Sequence, residues 1–401
     1  RPAGGRAVPL PTPTMIGSVL AIAKGGAGIV RDNAGTVFVP GVVRGETVEY
    51  EAAGRLGSAW RGRLLRVLEP SPQRQPPPCR HYGACGGCNL QHMRYAEQLR
   101  SKTAILAENL RRIGGLELGA SIPALPSPAE RYRAKVEFQV RGGEAGFFAR
   151  DSRRLVPVSG CLLLPRPVEE HFLSRRPDAA AVAAGSWQIV SNGSDLASRL
   201  EDAGGRRFWL GSGREVLFTA NGHSWTVAPG QFVQANLFQM GAMLAMLEEV
   251  LERERPPAAV DLFCGAGFLT LPLAARCRRV TAVESDGANV AALRANLRRA
   301  GAGQVRVVQG DALRAGLPEA DLFVVDPPRG GLSPRLIRGL ASGAASTVVY
   351  FSCDSATFAR DARSFSRLGW RLQDLRLIDN FPHSAHFEIF SVLKRAELSD
   401  K

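Results

Sequence analysis

Hydrophobic and polar positions change rhythm three times along this chain. From residue 15 to residue 68 apolar and polar residues alternate in short runs, IGSVLAIA, GAGIVRD, GTVFVPG, GETVEYEAA and AWRGRLLRVLE, with turn residues between them. Such alternation predicts strands, and five short strands in so little chain suit a small barrel of the OB type. A stiff connector, PSPQRQPPP, follows, and its proline content marks a domain boundary. From Gln91 the apolar residues of QHMRYAEQLRSKTAILAENLRRIGG recur at helical spacing and stop at two glycines. Residues 130–164 return to strand patterns in YRAKVEFQV, GEAGFFAR and RLVPVSGCLLL, whereas Pro165 to Ala220 shows no clear period.

After Gly230 the pattern alternates between helices and buried apolar strands. The strands are AAVDLF, RVTAVES, QVRVVQG, DLFVVD and TVVYFS, with a late antiparallel pair in RLQDLRLI and HFEIFSVL. This predicts an α/β fold with a doubly wound sheet and helices on both faces. The expected organisation is a barrel at 10–68, a central domain at 69–230 and a Rossmann-like domain at 231–401. The helix from Gln91 to Gly115 is expected to pack on that last domain.

Composition adds a partner class. The chain has 401 residues, with 51 Lys plus Arg against 37 Asp plus Glu, a net charge of +14. That surplus suits a polyanionic partner such as nucleic acid; a coding bias toward arginine is the competing explanation. No run of 18 apolar residues occurs, so no membrane partner is expected. The basic, proline-rich start lacks a signal-like apolar core. With seven cysteines in all, this predicts a cytoplasmic, reducing location where clustered thiols bind metal or do chemistry.

The chemistry gathers at predicted strand ends. Asp261-Leu-Phe-Cys-Gly-Ala-Gly267 runs from a strand into a helix, and its two glycines permit close backbone approach to a ligand. By itself this is an ordinary strand-to-helix turn. However, Glu284, Asp311 and Asp326 end the next three strands. Four acids in a row, without a phosphate-binding lysine, suit a cationic nucleoside, S-adenosylmethionine, better than a dinucleotide. Arg329 in VVDPPRGG stands where amine methyltransferases carry an aromatic residue.

Cys353 follows the fifth strand in YFSCDS. Alone it reads as a core residue, since free cysteine is commonly buried. Methylation of uracil C5 gives it a second reading. C5 becomes nucleophilic only after a soft nucleophile adds to C6, and a base must later remove the C5 proton. Glu388, His383 and His386 in DNFPHSAHFEIF are the candidate bases.

Together YFSCDSATFARD, DLFCGAGFLTLPLA, VVDPPRGG and DNFPHSAHFE resemble the RNA uridine-C5 methyltransferase family. The resemblance implies a class I S-adenosylmethionine-dependent fold, Cys353 as nucleophile and Glu388 as base. It implies cofactor contacts from Gln234 in PGQFVQAN and from Phe263, Glu284, Asp311 and Asp326. Two departures stand out: Asp354-Ser355 replaces Asn-Pro after the cysteine, and Phe268 replaces an asparagine. Asp354 is expected to raise the thiol pKa.

Cys79, Cys85 and Cys88 are spaced C-x5-C-x2-C, with Cys161 as a fourth thiolate. Spacing alone leaves zinc and an iron–sulfur cubane equal. The resemblance implies a 4Fe–4S cluster in the central α+β domain and an N-terminal TRAM barrel, both features of the ribosomal-RNA branch. The implied substrate is a flipped uridine of 23S rRNA, bound by a monomer through the barrel and the segment RYRAKVEFQVR. A tRNA substrate, a non-catalytic iron–sulfur RNA-binding protein, and amine or cytosine methylation are the alternatives. Cys264 and Cys277 are assigned to core packing.

Overall fold

The computed structural model describes residues 14–32, 35–119, 121–312 and 317–396. Strands β1 (Thr14–Ile22), β2 (Gly28–Asp32), β3 (Gly35–Val39), β4 (Thr47–Leu56) and β5 (Ala59–Glu69) close a barrel in the order β1-β2-β3-β5-β4. Their alternation puts Val19, Val30, Val37, Val39, Val48 and Tyr50 inside. Gly28 is required where the barrel is tightest, because a Cβ there would come within 2.2 Å of the Val42 side chain. The expected boundary at residue 10 lies outside the described residues.

Helix α1 (Tyr95–Asn109) ends in a wide turn, Leu110–Gly114, capped by Gly115 at φ 63°. Its second half holds a fully buried ion pair: Lys102 Nζ donates to Asp379 Oδ1 at 2.5 Å and to the Phe381 carbonyl at 3.0 Å. Asn109 donates to Ser355 Oγ at 2.8 Å. A two-residue strand, β6 (Ala124–Leu125), follows.

The segment without a legible period completes a six-stranded antiparallel sheet. Its strands are β7 (Lys135–Arg141), β8 (Glu144–Phe148), β9 (Leu155–Pro157), β10 (Ala184–Ser191), β11 (Leu196–Asp202) and β12 (Arg207–Trp209), ordered β12-β11-β10-β7-β8-β9. Helices α2 (Arg166–Ser174) and α3 (Arg176–Ala180) lie between β9 and β10 in the chain. One sheet face carries Val136, Phe138, Trp187, Ile189 and Leu200 into a core shared with Phe172 of α2, whose ring stacks on Phe138 at 4.1 Å. A hairpin, β13 (Val216–Ala220) with β14 (His223–Val227), comes next.

The last sheet has eight strands. Helix α4 (Met240–Glu254) precedes β15 (Ala258–Leu262), α5 (Thr270–Arg276), β16 (Arg279–Glu284), α6 (Gly287–Arg299), β17 (Arg306–Gln309), β18 (Leu322–Val325) and α7 (Pro334–Ser342). The chain continues through β19 (Thr347–Ser352), α8 (Ser355–Arg367), β20 (Trp370–Ile378) and β21 (Glu388–Arg395). The order is β17-β16-β15-β18-β19-β21-β20-β6. Strands β15 to β19 run parallel, and β21 is antiparallel to both β19 and β20. All six residues of β19 are buried, as a strand covered on both faces requires. The strand order reverses at β15, so the carboxyl ends of β15, β16 and β18 frame the crevice in which such sheets bind ligands.

Two compact units emerge from this chain. One holds the barrel and its continuation to Tyr82, Cys88–Ser101 and His383–Ala385; the other holds Gly83–Gly87, Lys102–Pro382 and the segment from His386.

Candidate active site

At the carboxyl end of β15 the backbone turns through three residues of positive φ, Phe263, Gly265 and Gly267. Phe263 has φ 64°, an uncommon conformation for a bulky residue and one that concentrates at ligand sites. Its N–H donates to the Val283 carbonyl at 3.0 Å, which holds it there. Gly267 has φ 100°, and a Cβ on it would strike Leu293 at 2.7 Å. Only glycine serves at that corner.

Three of the acids predicted at strand ends, Asp261, Glu284 and Asp326, lie close enough to act on one another. Glu284 is buried and accepts from Gly265 N–H at 2.9 Å and Asp286 N–H at 2.8 Å. Asp261 is fully buried. Thr270 Oγ1 donates to its Oδ2 at 2.6 Å, while Oδ1 has no partner. Burial raises the Asp261 pKa to about 7 against the Thr270 hydrogen bond, with help from Asp326 and Glu284. Asp326 is likewise raised to about 7 by burial, and Gln234 Nε2, which donates to Asp326 Oδ2 at 3.1 Å, opposes the rise. Asp311 stands just after β17, where Gly310 N–H donates to the Glu284 carbonyl at 2.9 Å.

Gln234, Phe263 and Asp326 line one pocket of about 390 Å³ with Trp225, Phe232 and Phe268. Phe268 meets the Trp225 ring edge-on at 5.1 Å, so it is a packed wall of the pocket. Phe232, 55% exposed, stands at the mouth. Trp225 and Phe232 were not predicted as site residues. Their signals were an isolated Trp in a featureless stretch and an ordinary Phe.

One strand further along, β19 ends at Ser352 and delivers Cys353. Ser352 pairs with Ile389 of β21, and the next step of that antiparallel register sets Cys353 opposite Glu388. Cys353 is half-buried. Burial raises its pKa to about 12; Glu388 and Asp326 add to the rise, and Arg329 opposes it. Glu388 is itself buried, and its pKa is pushed well up by burial and by Asp326, again with Arg329 opposing. Arg329 is therefore the cation that faces both groups.

A methyltransferase domain family matches residues 259–325. The chain is 31% identical over 417 residues to the 23S rRNA (uracil(1939)-C(5))-methyltransferase RlmD of Pseudomonas putida, covering 93% of this chain and 92% of that protein. It is 30% identical over 423 residues to the enzyme of the same name from Shewanella sp., covering 93% and 94%. The chain belongs to the RNA uracil-C5 methyltransferase family. Among solved structures, the Pyrococcus abyssi tRNA (uracil-54, C5)-methyltransferase in complex with S-adenosyl-L-homocysteine superposes with a TM-score of 0.75. That match has 19% identity and covers 94% of this chain and 99% of that one. The fold is thus that of S-adenosylmethionine-dependent methyltransferases.

Within this family member one expectation needs correction. Asp354 does not act on Cys353 as foreseen, because its carboxylate caps α8. Its Oδ1 accepts from Ala356 N–H at 3.1 Å and Thr357 N–H at 3.0 Å, and the acids that raise the thiol are Glu388 and Asp326. The segment 131–141 is partly spent on internal structure. Arg131 pairs with Glu169 and donates to the Leu164 carbonyl, and Lys135 donates to the Gln231 carbonyl at 2.8 Å. Cys79, Cys85, Cys88 and Cys161 are half-buried and stand outside any disulfide. Their chemistry fits an all-thiolate cluster, yet no group of three or more His, Cys, Asp or Glu among the described residues is gathered to hold a metal ion.

The histidines take other places. His383 Nδ1 lies 3.2 Å from Gln98 Nε2, and its N–H donates to Gln98 Oε1 at 2.8 Å. His386 is exposed and meets Phe381 edge-on at 6.2 Å. Cys264 and Cys277 are buried, and burial first of all raises both thiols.

Proposed function

We propose that this chain methylates C5 of a uridine in 23S rRNA, with Cys353 as the nucleophile and Glu388 as the base. The placement of Cys353 opposite Glu388, next to the acid-lined pocket, carries the reading, and the names of its relatives supply the substrate class.

S-adenosylmethionine, when bound, supplies an electrophilic methyl group and a positive charge. Gln234, Phe263, Glu284, Asp311 and Asp326 are the residues proposed to hold it. The Cys353 thiolate adds to C6 of the flipped uracil, forming the S–C6 bond and moving the ring electrons onto C5 and O4. With the sulfonium bound, C5 would take its methyl group as the S–CH3 bond broke to leave the neutral thioether, and C5 would then carry both its hydrogen and the new methyl group. Glu388 removes that proton, the C5=C6 bond re-forms and the S–C6 bond breaks, which returns the thiolate. Arg329 faces the two acidic groups and stabilises charge on each in turn. Burial raises Cys353 and Glu388 and Arg329 opposes the rise on each, so a sulfonium in the neighbouring pocket would add a second positive charge. Binding of a sulfonium therefore favours the thiolate, which couples cofactor loading to nucleophile activation.

The reaction is tested by identifying the nucleoside made when the purified chain acts on 23S rRNA. 5-Methyluridine is expected, and a methylated amine or cytosine would overturn the assignment.

Cys79, Cys85, Cys88 and Cys161 are proposed as ligands of a 4Fe–4S cluster, on their C-x5-C-x2-C…C spacing. No catalytic step is derived through it. The 14–69 barrel is read as a TRAM domain that grips RNA.

A further inference from the structure

The six-stranded sheet has one face in a core and one face open, and the open face has no role in the reaction described above. Register assigns its residues: Lys135 and Glu137 of β7, Gln188 of β10, Arg199 and Glu201 of β11, and Arg207 and Trp209 of β12. Gln188 pairs with both Glu137 and Arg199, and Arg199 pairs with Trp209. A tryptophan here is unexpected, because β12 is the edge strand and its solvent side should be polar. Trp209 is half-buried, and the exposed Arg214 lies 4.5 Å over its ring. Arg207 and Arg214 are the exposed cations of this patch, Arg207 pairing with Glu201 at 2.9 Å, while Lys135 and Arg199 are half-buried and bonded to the Gln231 carbonyl and Gln188.

We propose that this face is a track for unpaired RNA, with Trp209 and Arg214 as its base-stacking platform; the inference rests on RNA being the substrate. Three observations support it. Aromatic rings and guanidinium planes are the groups on which unpaired bases stack, and surrounding cations hold the phosphates. The face is continuous with the pocket, since Lys135 Nζ donates to the Gln231 carbonyl at 2.8 Å. Gln231 in turn precedes Phe232, which stands at the pocket mouth, and Gln234, which lines it. Arg199 strengthens this continuity: it donates to Gln188 Oε1 at 2.8 Å and packs under Gly230, where a Cβ would meet its Nη2 at 2.5 Å. The track therefore ends at the mouth of the proposed cofactor pocket. A protein partner fits less well, because interface cores are apolar and depleted of charge.

The test uses the full chain and a labelled, unstructured RNA of about 12 nucleotides, a length within single-strand site sizes, with the matching duplex as competitor. Trp209→Ala is expected to weaken single-strand binding at least about tenfold, and Trp209→Phe to restore most of it. In methyl transfer to a longer target RNA, Trp209→Ala should raise KM while kcat stays within about twofold. If Trp209→Ala does not fold, the surface pair Arg207→Glu with Arg214→Glu reads the same loss. Unchanged binding and KM would overturn the track, and so would equal competition by duplex RNA. If the parent chain binds RNA but transfers no methyl group, the proposed reaction fails, while the Trp209 comparison still decides the track.

Discussion

Cys353 and Glu388 lie one register step beyond the Ser352–Ile389 pair, the last that joins β19 to β21. Burial raises both groups, and Glu388 further raises Cys353. A thiol whose pKa is about 12 is a weak nucleophile at neutral pH, so the resting site is restrained, and whatever adds positive charge activates it.

Cofactor charge should switch the thiol. S-adenosylmethionine and S-adenosylhomocysteine differ at sulfur by one methyl and one positive charge. A cation favours the ionised form of an acid, so the former lowers the Cys353 pKa relative to the latter. Alkylation at Cys353, followed by peptide mass spectrometry across pH 7–10, should run several-fold faster with S-adenosylmethionine. Equal rates with the two ligands would remove charge as the activating device.

Glu388→Gln should block proton removal while leaving addition possible. Methyl transfer to product falls by about 10²–10⁴, and a covalent protein–RNA complex accumulates. Removing that negative charge also moves the Cys353 pKa down. Product release at the parent rate would move the base elsewhere.

Asp354 belongs to helix stability. Asp354→Ala loses two cap hydrogen bonds and should cost about 1 kcal/mol in denaturant unfolding. Asp354→Asn keeps the cap and should leave the pH–rate profile unmoved. A shift in that profile would restore the direct effect on Cys353 expected from sequence.

Lys102 and Asp379 test the support beneath the 379–387 segment. Lys102→Met leaves a fully buried carboxylate without its cation and should destabilise the chain by about 3–5 kcal/mol. The double variant Lys102→Met with Asp379→Asn should recover much of that loss. Equal stability of Lys102→Met and the parent would show that the pair contributes little.

What sequence could reveal tracks how local the signal is. Strands β15, β16, β18 and β19 bury short apolar runs, and an acid or a thiol ends or directly follows β16, β18 and β19, so these strands and the placement of Cys353 were legible. Glu388 was legible because its motif is local. The six-stranded sheet was not fully visible, because β11 and β12 carry Arg199, Glu201, Arg207 and Trp209 on an open face that breaks the apolar rhythm. The Lys102–Asp379 pair joins residues 277 positions apart, and nothing in either neighbourhood signals it. Asp354 misled because charge beside a thiol suggests a field effect; backbone amides of α8 claim the carboxylate first.

Covalent catalysis by Cys353 is the central claim, and RNA carrying 5-fluorouridine at the target tests it most directly. Fluorine at C5 cannot leave as a proton, so addition and methylation proceed and elimination stops. The account predicts a stable protein–RNA adduct that needs S-adenosylmethionine, maps to Cys353 and is absent from Cys353→Ala. Formation of 5-methyluridine in ordinary RNA without any such adduct, or an adduct on another cysteine, would contradict it.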